Sequence, residues 1–192
     1  MKNIVIIFLF ILSSLNWAKA SDVKEFEVEG FSIGDSILKF IKKNEIIDNG
    51  NYGPDSKFIE VEYLGTLSKF EYLTLHINRK DPNYIIHAIR GINIVNNKTS
   101  CLSKKKEIFE VMKKVFSDKE FYEAEQNHYF YKNSKQYTSQ FYLGKKNTIR
   151  SDLARVECVI MDQKDLEIHG NVPNTLELII YTENFAIWLE SL

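Results

Sequence analysis

The chain has few of the side chains that bind transition metals or carry out redox chemistry. Its two cysteines form no C-x-x-C pair, which excludes a dithiol redox site. Its four histidines are far apart and form neither H-E-x-x-H nor a Cys/His zinc pattern. The sequence therefore indicates no metal site and no cofactor. The histidines are His76, His87, His128 and His169.

An excess of positive charge is also lacking. The chain has 25 lysines and arginines against 26 aspartates and glutamates, a formal net charge of −1. This balance argues against nucleic acid and anionic membranes as main partners.

The first twenty residues have the three parts of a secretory signal peptide. Lys2 gives a positive start, residues 4–12 are an unbroken apolar run, and Ala18 and Ala20 are the small residues that a signal peptidase needs. The run is too short for a transmembrane segment, and there is no cysteine at the cleavage point for a lipid anchor. We predict that residues 1–20 are cleaved and that the remainder is periplasmic or secreted. Loss of Lys2 and Lys19 changes the net charge from −1 to −3.

Residues 21–192 are enough for one domain with a full core. Helical periodicity predicts helices over residues 32–47, over residues 100–116 and after Thr182 as N-cap. Alternating apolar residues predict strands near residues 59–63, 73–77, 85–94, 128–132, 136–143, 154–161 and 176–181.

Short turns, among them residues 81–83 and 133–135, leave no room for crossover connections between most strands. We therefore predict an α+β fold, an antiparallel sheet of six to seven strands with helices packed on one face. One helix and three strands occur in that order twice, which indicates a possible pseudo-repeat. A change of phase at Gly91 predicts a β-bulge.

The two cysteines are predicted to meet. On a helix Cys101 shares the apolar stripe of Met112, and on a strand Cys158 shares the inner face of Val156. An even cysteine count in an exported chain favours a disulfide. Two buried free thiols are the alternative.

Residues 30–34 match the nucleophile motif G-x-S-x-G. An α/β-hydrolase needs several parallel strands before its nucleophile, and only about ten mature residues precede Ser32. We interpret Ser32 as a helix cap, with Asp35 as the carboxylate of a capping box.

Residues 34–38, Gly-Asp-Ser-Ile-Leu, resemble the nucleophile block of the GDSL (SGNH) esterases. That resemblance implies a triad of Ser36, Asp165 and His169. The spacing of the Asp and the His is one residue longer than the family's D-x-x-H, and the oxyanion Asn of its G-x-N-D block has no counterpart. A small exported ester hydrolase is therefore an alternative, and an ordinary first-turn role for Ser36 is preferred.

The connection of residues 162–175 is a candidate contact surface. It is long, contains Asp162 and Asp165, and links two central strands, as functional loops often do. A merely solvated loop is the alternative.

Tyrosines interleave with lysines around the second hairpin, a pattern typical of surfaces that bind peptides, glycans or single strands. One buried and one exposed strand face would explain the same alternation. The tyrosines are Tyr129, Tyr131, Tyr137 and Tyr142, and the lysines include Lys132 and Lys135.

A further pattern combines three stretches of the chain. They are residues 30–38, the Lys/Glu-rich helix that begins at Cys101, and Cys158 followed by residues 176–181 and 185–189. Together they resemble a family of small uncharacterised exported proteins from AT-rich marine alphaproteobacteria. The resemblance implies export but no activity and no ligand. The chain departs from the family at Met161 and Asp162, where an aromatic residue is expected.

We therefore expect an exported, non-catalytic binding or envelope-associated protein with a protein, peptide or small-molecule partner. An inhibitor or assembly factor that offers a sheet edge is a further alternative. An enzyme would need Ser36, Asp165 and His169 in one pocket, whereas a binder should have exposed aromatic side chains or an uncovered sheet face.

Overall fold

The computed structural model describes residues 23–46, 55–144 and 151–192, so the predicted signal peptide lies outside the described residues. A small hairpin of β1 (Glu27–Val28) and β2 (Phe31–Ser32) precedes a seven-stranded sheet. The strands of this sheet are β3 (Phe58–Glu62), β4 (Tyr72–Asn78), β5 (Ile86–Val95), β6 (Phe121–Asn127), β7 (Lys135–Tyr142), β8 (Leu153–Ile160) and β9 (Asn174–Tyr181). The helices are α1 (Lys98–Val115), α2 (Gln163–His169) and α3 (Glu183–Leu189).

The last strand in the chain lies at the centre of the sheet. β3, β4 and β5 form one antiparallel meander, and β6, β7 and β8 form a second. β9 pairs antiparallel with β5 on one side and with β8 on the other. The predicted α+β fold with an antiparallel sheet is confirmed, and the unit that occurs twice is the meander.

α1 covers one face of the sheet. Side chains alternate between the two faces of a strand, so Leu75, Ile89 and Ile180 line the face beneath the helix. Phe109 of α1 lies 5.4 Å from the Phe141 ring in this core. The predicted disulfide is present between α1 and β8, with the Cα atoms of Cys101 and Cys158 6.0 Å apart.

The opposite face has a polar centre and an aromatic corner. Arg90 donates two hydrogen bonds to Glu177, at 2.8 and 2.9 Å, and Glu177 lies directly opposite Glu157 on β8. Glu157 accepts a hydrogen bond from Gln136 at 2.6 Å. α3 covers the corner, where its Phe185 ring is 5.2 Å from that of Phe58. The longest helix and the C-terminal helix therefore lie against different faces, whereas the sequence predicted helices on one face only.

The α-helix predicted over residues 32–47 is wrong for the part that the structure describes. Ser32 ends β2, and two 3₁₀ turns follow at Ile37–Lys39 and Lys43–Glu45. Gly34 has a φ of +90°, which a residue inside an α-helix cannot adopt. Ser36, rather than Ser32, caps the first of these turns, through a 3.3 Å hydrogen bond from the Leu38 amide.

The strand predicted at residues 128–132 is also misplaced, because β6 ends at Asn127. β6 is an edge strand with exposed side chains at almost every position, so it lacks the apolar alternation that marks a half-buried strand. The register shift in β5 lies near Ile86 rather than at Gly91. Gly91 is needed for another reason, since an added Cβ would lie 2.8 Å from the Phe70 ring.

Removing the disulfide should lower the free energy of unfolding by about 4 kcal/mol, because the two cysteines close a loop with a sequence separation of 57. Urea denaturation of Cys101→Ala/Cys158→Ala beside the oxidised wild type measures this difference. Equal midpoints and slopes for the two proteins would contradict the expectation.

Candidate functional site

The loop between β6 and β7 is ordered by its own backbone and by one histidine. The His128 amide donates to the Ser134 carbonyl at 2.9 Å, and the Ser134 amide donates to the Tyr131 carbonyl at 3.0 Å. His128 Nδ1 accepts hydrogen bonds from the amides of Phe130 and Tyr131, both at 3.2 Å. Burial lowers the pKa of His128, which favours the neutral ring that these two bonds require. The loop therefore folds back on itself over residues 128–134.

Asp165 fastens this loop to the connection between β8 and β9. Its carboxylate accepts hydrogen bonds from N and Nδ2 of Asn133, at 3.0 and 2.9 Å. It also accepts bonds from N and Oγ of Ser134, at 2.7 and 2.6 Å. Ser134 Oγ in turn accepts a bond from the amide of Asp162, the N-cap of α2. Two segments that the sequence named as separate candidates are therefore one structural unit.

Apolar side chains project from this unit into solvent. Tyr129, Phe130 and Ile168 are 74%, 71% and 70% exposed. The Tyr131 ring stacks on His128 at 4.9 Å and lies 5.2 Å from the His169 ring, so it connects the loop to α2. We name this surface the aromatic tip and define it as Tyr129, Phe130, Tyr131, Ile168 and His169.

A positive charge accompanies the exposed aromatic pair. Lys132 Nζ lies 4.6 Å from the centre of the Tyr129 ring, within the range of a cation–π interaction. Both oxygens of the Asp165 carboxylate are engaged by hydrogen bonds from Asn133 and Ser134. The tip is therefore an apolar surface with a cationic side chain at its border.

Asp165 is only 2% exposed and remains ionised in this setting. Burial alone would raise the pKa of its carboxyl, but the hydrogen bonds from Ser134 and Asn133 outweigh burial and lower the pKa below its ordinary value. The charged form is therefore the one that holds the loop.

Ser36 lies at the other end of the sheet from Asp165 and His169. Its Oγ donates to the Asn83 carbonyl in the β4–β5 turn, and its backbone bridges Ile85 just before β5. β9 runs from the α2 end of the sheet to the end where β5 begins. Its eight residues span about 23 Å at 3.3 Å per step. The structure does not bring the three residues of the proposed triad together.

Tyr137 and Tyr142 belong to the sheet faces rather than to the tip. The Tyr137 hydroxyl accepts a 2.7 Å hydrogen bond from Lys98 of α1. The Tyr142 hydroxyl accepts a 2.6 Å bond from Gln140 near the far end of β7. Of the four predicted tyrosines, Tyr129 and Tyr131 lie in the tip, beside Asp162 and Asp165.

The other two histidines lie elsewhere in the sheet. His76 is buried, with Nε2 3.8 Å from a Glu60 oxygen, and burial together with Arg90 lowers its pKa to about 3. His87 Nδ1 is 3.3 Å from the Thr182 hydroxyl. Within the described ranges, no three His, Cys, Asp or Glu side chains are arranged to hold a metal ion.

Sequence reasoning missed Phe130, Ile168 and the role of His128. Three consecutive aromatic residues, 129–131, cannot alternate between a buried and an exposed face, and this was the available signal for a loop. Ile168 gave no comparable signal, because its exposure depends on how α2 is held by Asp165.

No family model, no curated protein and no solved structure matches this chain. The resemblance to exported alphaproteobacterial proteins therefore stays a prediction. In the part of the chain that the structure describes, no helix is long and apolar enough to cross a membrane.

Asp165→Asn should destabilise the protein at neutral pH, because an amide cannot accept all four hydrogen bonds. The folded-state pKa of Asp165 lies below its unfolded value, so its contribution is full above about pH 4 and is lost as the pH falls through the folded pKa. The difference in free energy of unfolding between wild type and variant should therefore shrink in acid. Denaturant unfolding from neutral to acid pH measures it.

Glu167→Gln is the matched control for this experiment, since Glu167 is an exposed carboxylate on the same helix. It should leave stability nearly unchanged at every pH. An Asp165→Asn effect no larger than that of the control would show that the hydrogen bonds to Asp165 do not stabilise the protein.

Proposed function

We propose that this protein is an exported, non-catalytic binding protein that contacts a protein or peptide partner through the aromatic tip, in the periplasm or outside the cell. The observation that carries the proposal is the exposure of Tyr129, Phe130 and Ile168 above a backbone held by Asp165. Contiguous exposed apolar side chains mark interaction sites in globular proteins.

The fixed backbone supports binding for an energetic reason. A flexible loop loses conformational freedom when it binds, and that loss subtracts from affinity. The bonds of Asp165 and His128 order residues 128–134 before any partner arrives. Tyr and Phe side chains add large contact areas with few rotatable bonds.

Two alternatives from the sequence fare differently. The distance between Ser36 and His169 gives no support to an ester hydrolase that uses this triad. The sheet-edge alternative has support from β6, whose side chains are exposed and which pairs only with β7 among the described strands. β6 leads directly into the tip, so a partner held there could also add a strand along this edge.

Phe130→Ser should weaken tip binding at least about tenfold, the usual effect of truncating a central aromatic anchor. Random peptides displayed on phage are selected against the wild-type protein, and the affinities of the selected peptides are then measured for wild type and variant. Leu192→Ser is the matched control, because Leu192 is also 71% exposed but lies outside the tip. Selected peptides that bind all three proteins equally would refute the proposed surface.

Export is tested separately. The protein recovered from the periplasm or medium of a bacterial host should begin at Ser21, and Ala20→Leu should block cleavage, because the peptidase requires a small residue at that position. Trp17→Leu introduces the same side chain where size is not restricted and should be processed normally. Retention of residues 1–20 on the exported wild type would contradict a cleaved signal.

A further inference from the structure

A groove lies between the 3₁₀ turns and the β3–β4 connection. One cavity of about 430 Å³ is lined by Phe40, Ile41, Tyr63 and Leu64 together with two carboxylates. A second, of about 320 Å³, continues it along the connection toward Tyr72. Leu64 is 79% exposed, so a large apolar side chain at the groove has little protein around it.

The described residues that line the groove are acidic. Its carboxylates are Glu45 and Glu62 in the first cavity and Glu71 in the second. Among the described lining residues there is no lysine or arginine, although Lys42 Nζ forms an ion pair with Glu45 at 3.9 Å. We name this surface the acidic groove and define it as Phe40, Ile41, Tyr63, Leu64, Glu45, Glu62 and Glu71.

A carboxylate also fixes the connection that forms the groove. Glu29 accepts hydrogen bonds from N and Oγ of Ser68, at 3.0 and 2.9 Å, and from the amides of Lys69 and Phe70. These bonds lower the pKa of Glu29 even though burial alone would raise it. The Tyr63 ring packs edge-on against the buried Phe31 ring at 4.9 Å. The groove is therefore pre-formed, as the tip is.

We propose that the acidic groove of one copy of this chain receives the aromatic tip of a second copy, an inference that rests on the binding role proposed for the tip. The tip offers two exposed aromatic side chains with Lys132 beside them, and the groove offers an apolar floor with carboxylates. The charge of Lys132 is opposite to that of the groove's carboxylates, which favours this pairing.

The positions of the two surfaces favour a closed dimer. Both connections leave the sheet at the end where β9 begins, and five strand spacings, about 24 Å, separate them across the sheet. A two-fold axis normal to the sheet at this end would place each tip beside the β3–β4 connection of the other copy, which forms one wall of the groove. Such an isologous arrangement closes on itself and makes two identical contacts.

The buried surface area of a stable dimer requires two tip–groove contacts rather than one. Tyr129 and Phe130 together can bury about 300–500 Å², so one tip and its groove would bury about 600–1,000 Å² in total. Stable interfaces begin near 1,200 Å², which one contact does not reach and two contacts do. The dimer therefore depends on both contacts.

Sedimentation equilibrium of the exported, oxidised protein over a wide concentration range tests the dimer. Wild type should show the mass of two copies, and Phe130→Ser and Leu64→Ser should each weaken dimerisation about a hundredfold, tenfold for each of two contacts. In an equimolar mixture of the two variants, the mixed dimer should form about tenfold more tightly than the dimer of either variant alone. In the mixed dimer one contact is intact, and both changes fall in the other contact, where their effects do not add.

Leu192→Ser should dimerise like wild type, and unchanged thermal unfolding of all variants confirms that they fold. A single-copy mass at every concentration, or a dimer that neither variant weakens, would overturn the proposal. Loss of peptide binding in Phe130→Ser without any dimer would overturn self-association alone and leave the binding role of the tip in place.

Discussion

Two carboxylates determine the shape of one end of this molecule. Glu29 and Asp165 each accept hydrogen bonds from backbone amides and a serine hydroxyl of a connection far away in sequence. An ionised carboxylate can accept about four such bonds, and charge-assisted bonds are stronger than neutral ones. The β3–β4 and β6–β7 connections have no regular structure of their own at these points. The carboxylates therefore fix their geometry, in the β6–β7 connection together with the hydrogen bonds of His128.

Sheet topology explains why each carboxylate reaches its target. β8 pairs with β7, so the connection that leaves β8 starts beside the β6–β7 loop, and Asp165 on α2 needs only a short reach. Glu29 lies in the tight turn between β1 and β2 with a φ of +54°, a left-handed conformation that a side-chain-bearing residue adopts at a cost. Its hydrogen bonds to residues 68–70 compensate for that cost.

The sequence predicted the parts of the fold that depend on apolar pattern. α1, α3 with Thr182 as its N-cap, and the Cys101–Cys158 disulfide follow from periodicity and alternation. The helix prediction for residues 32–46 was wrong because this irregular segment buries apolar side chains that happen to have helical spacing. β6 was not predicted because this exposed edge strand lacks the apolar alternation by which strands are recognised. Predicting the tip would have required placing the β6–β7 loop beside α2. The local sequence pattern does not show that Asp165 and Ser134 are in contact.

The aromatic tip depends finally on β9. The last strand of the sheet fills the gap between two meanders, so neither half has its full set of neighbours until the C-terminal segment pairs. Different interactions stabilise its pairings with β5 and with β8. Between β5 and β9, Arg90 donates two hydrogen bonds to the buried Glu177. On the opposite face, the disulfide links α1 to Cys158 of β8, which pairs with Leu176 of β9. Because α2 leads directly into β9, the pairing of β9 also sets where Asp165 stands, and with it the exposed aromatic side chains.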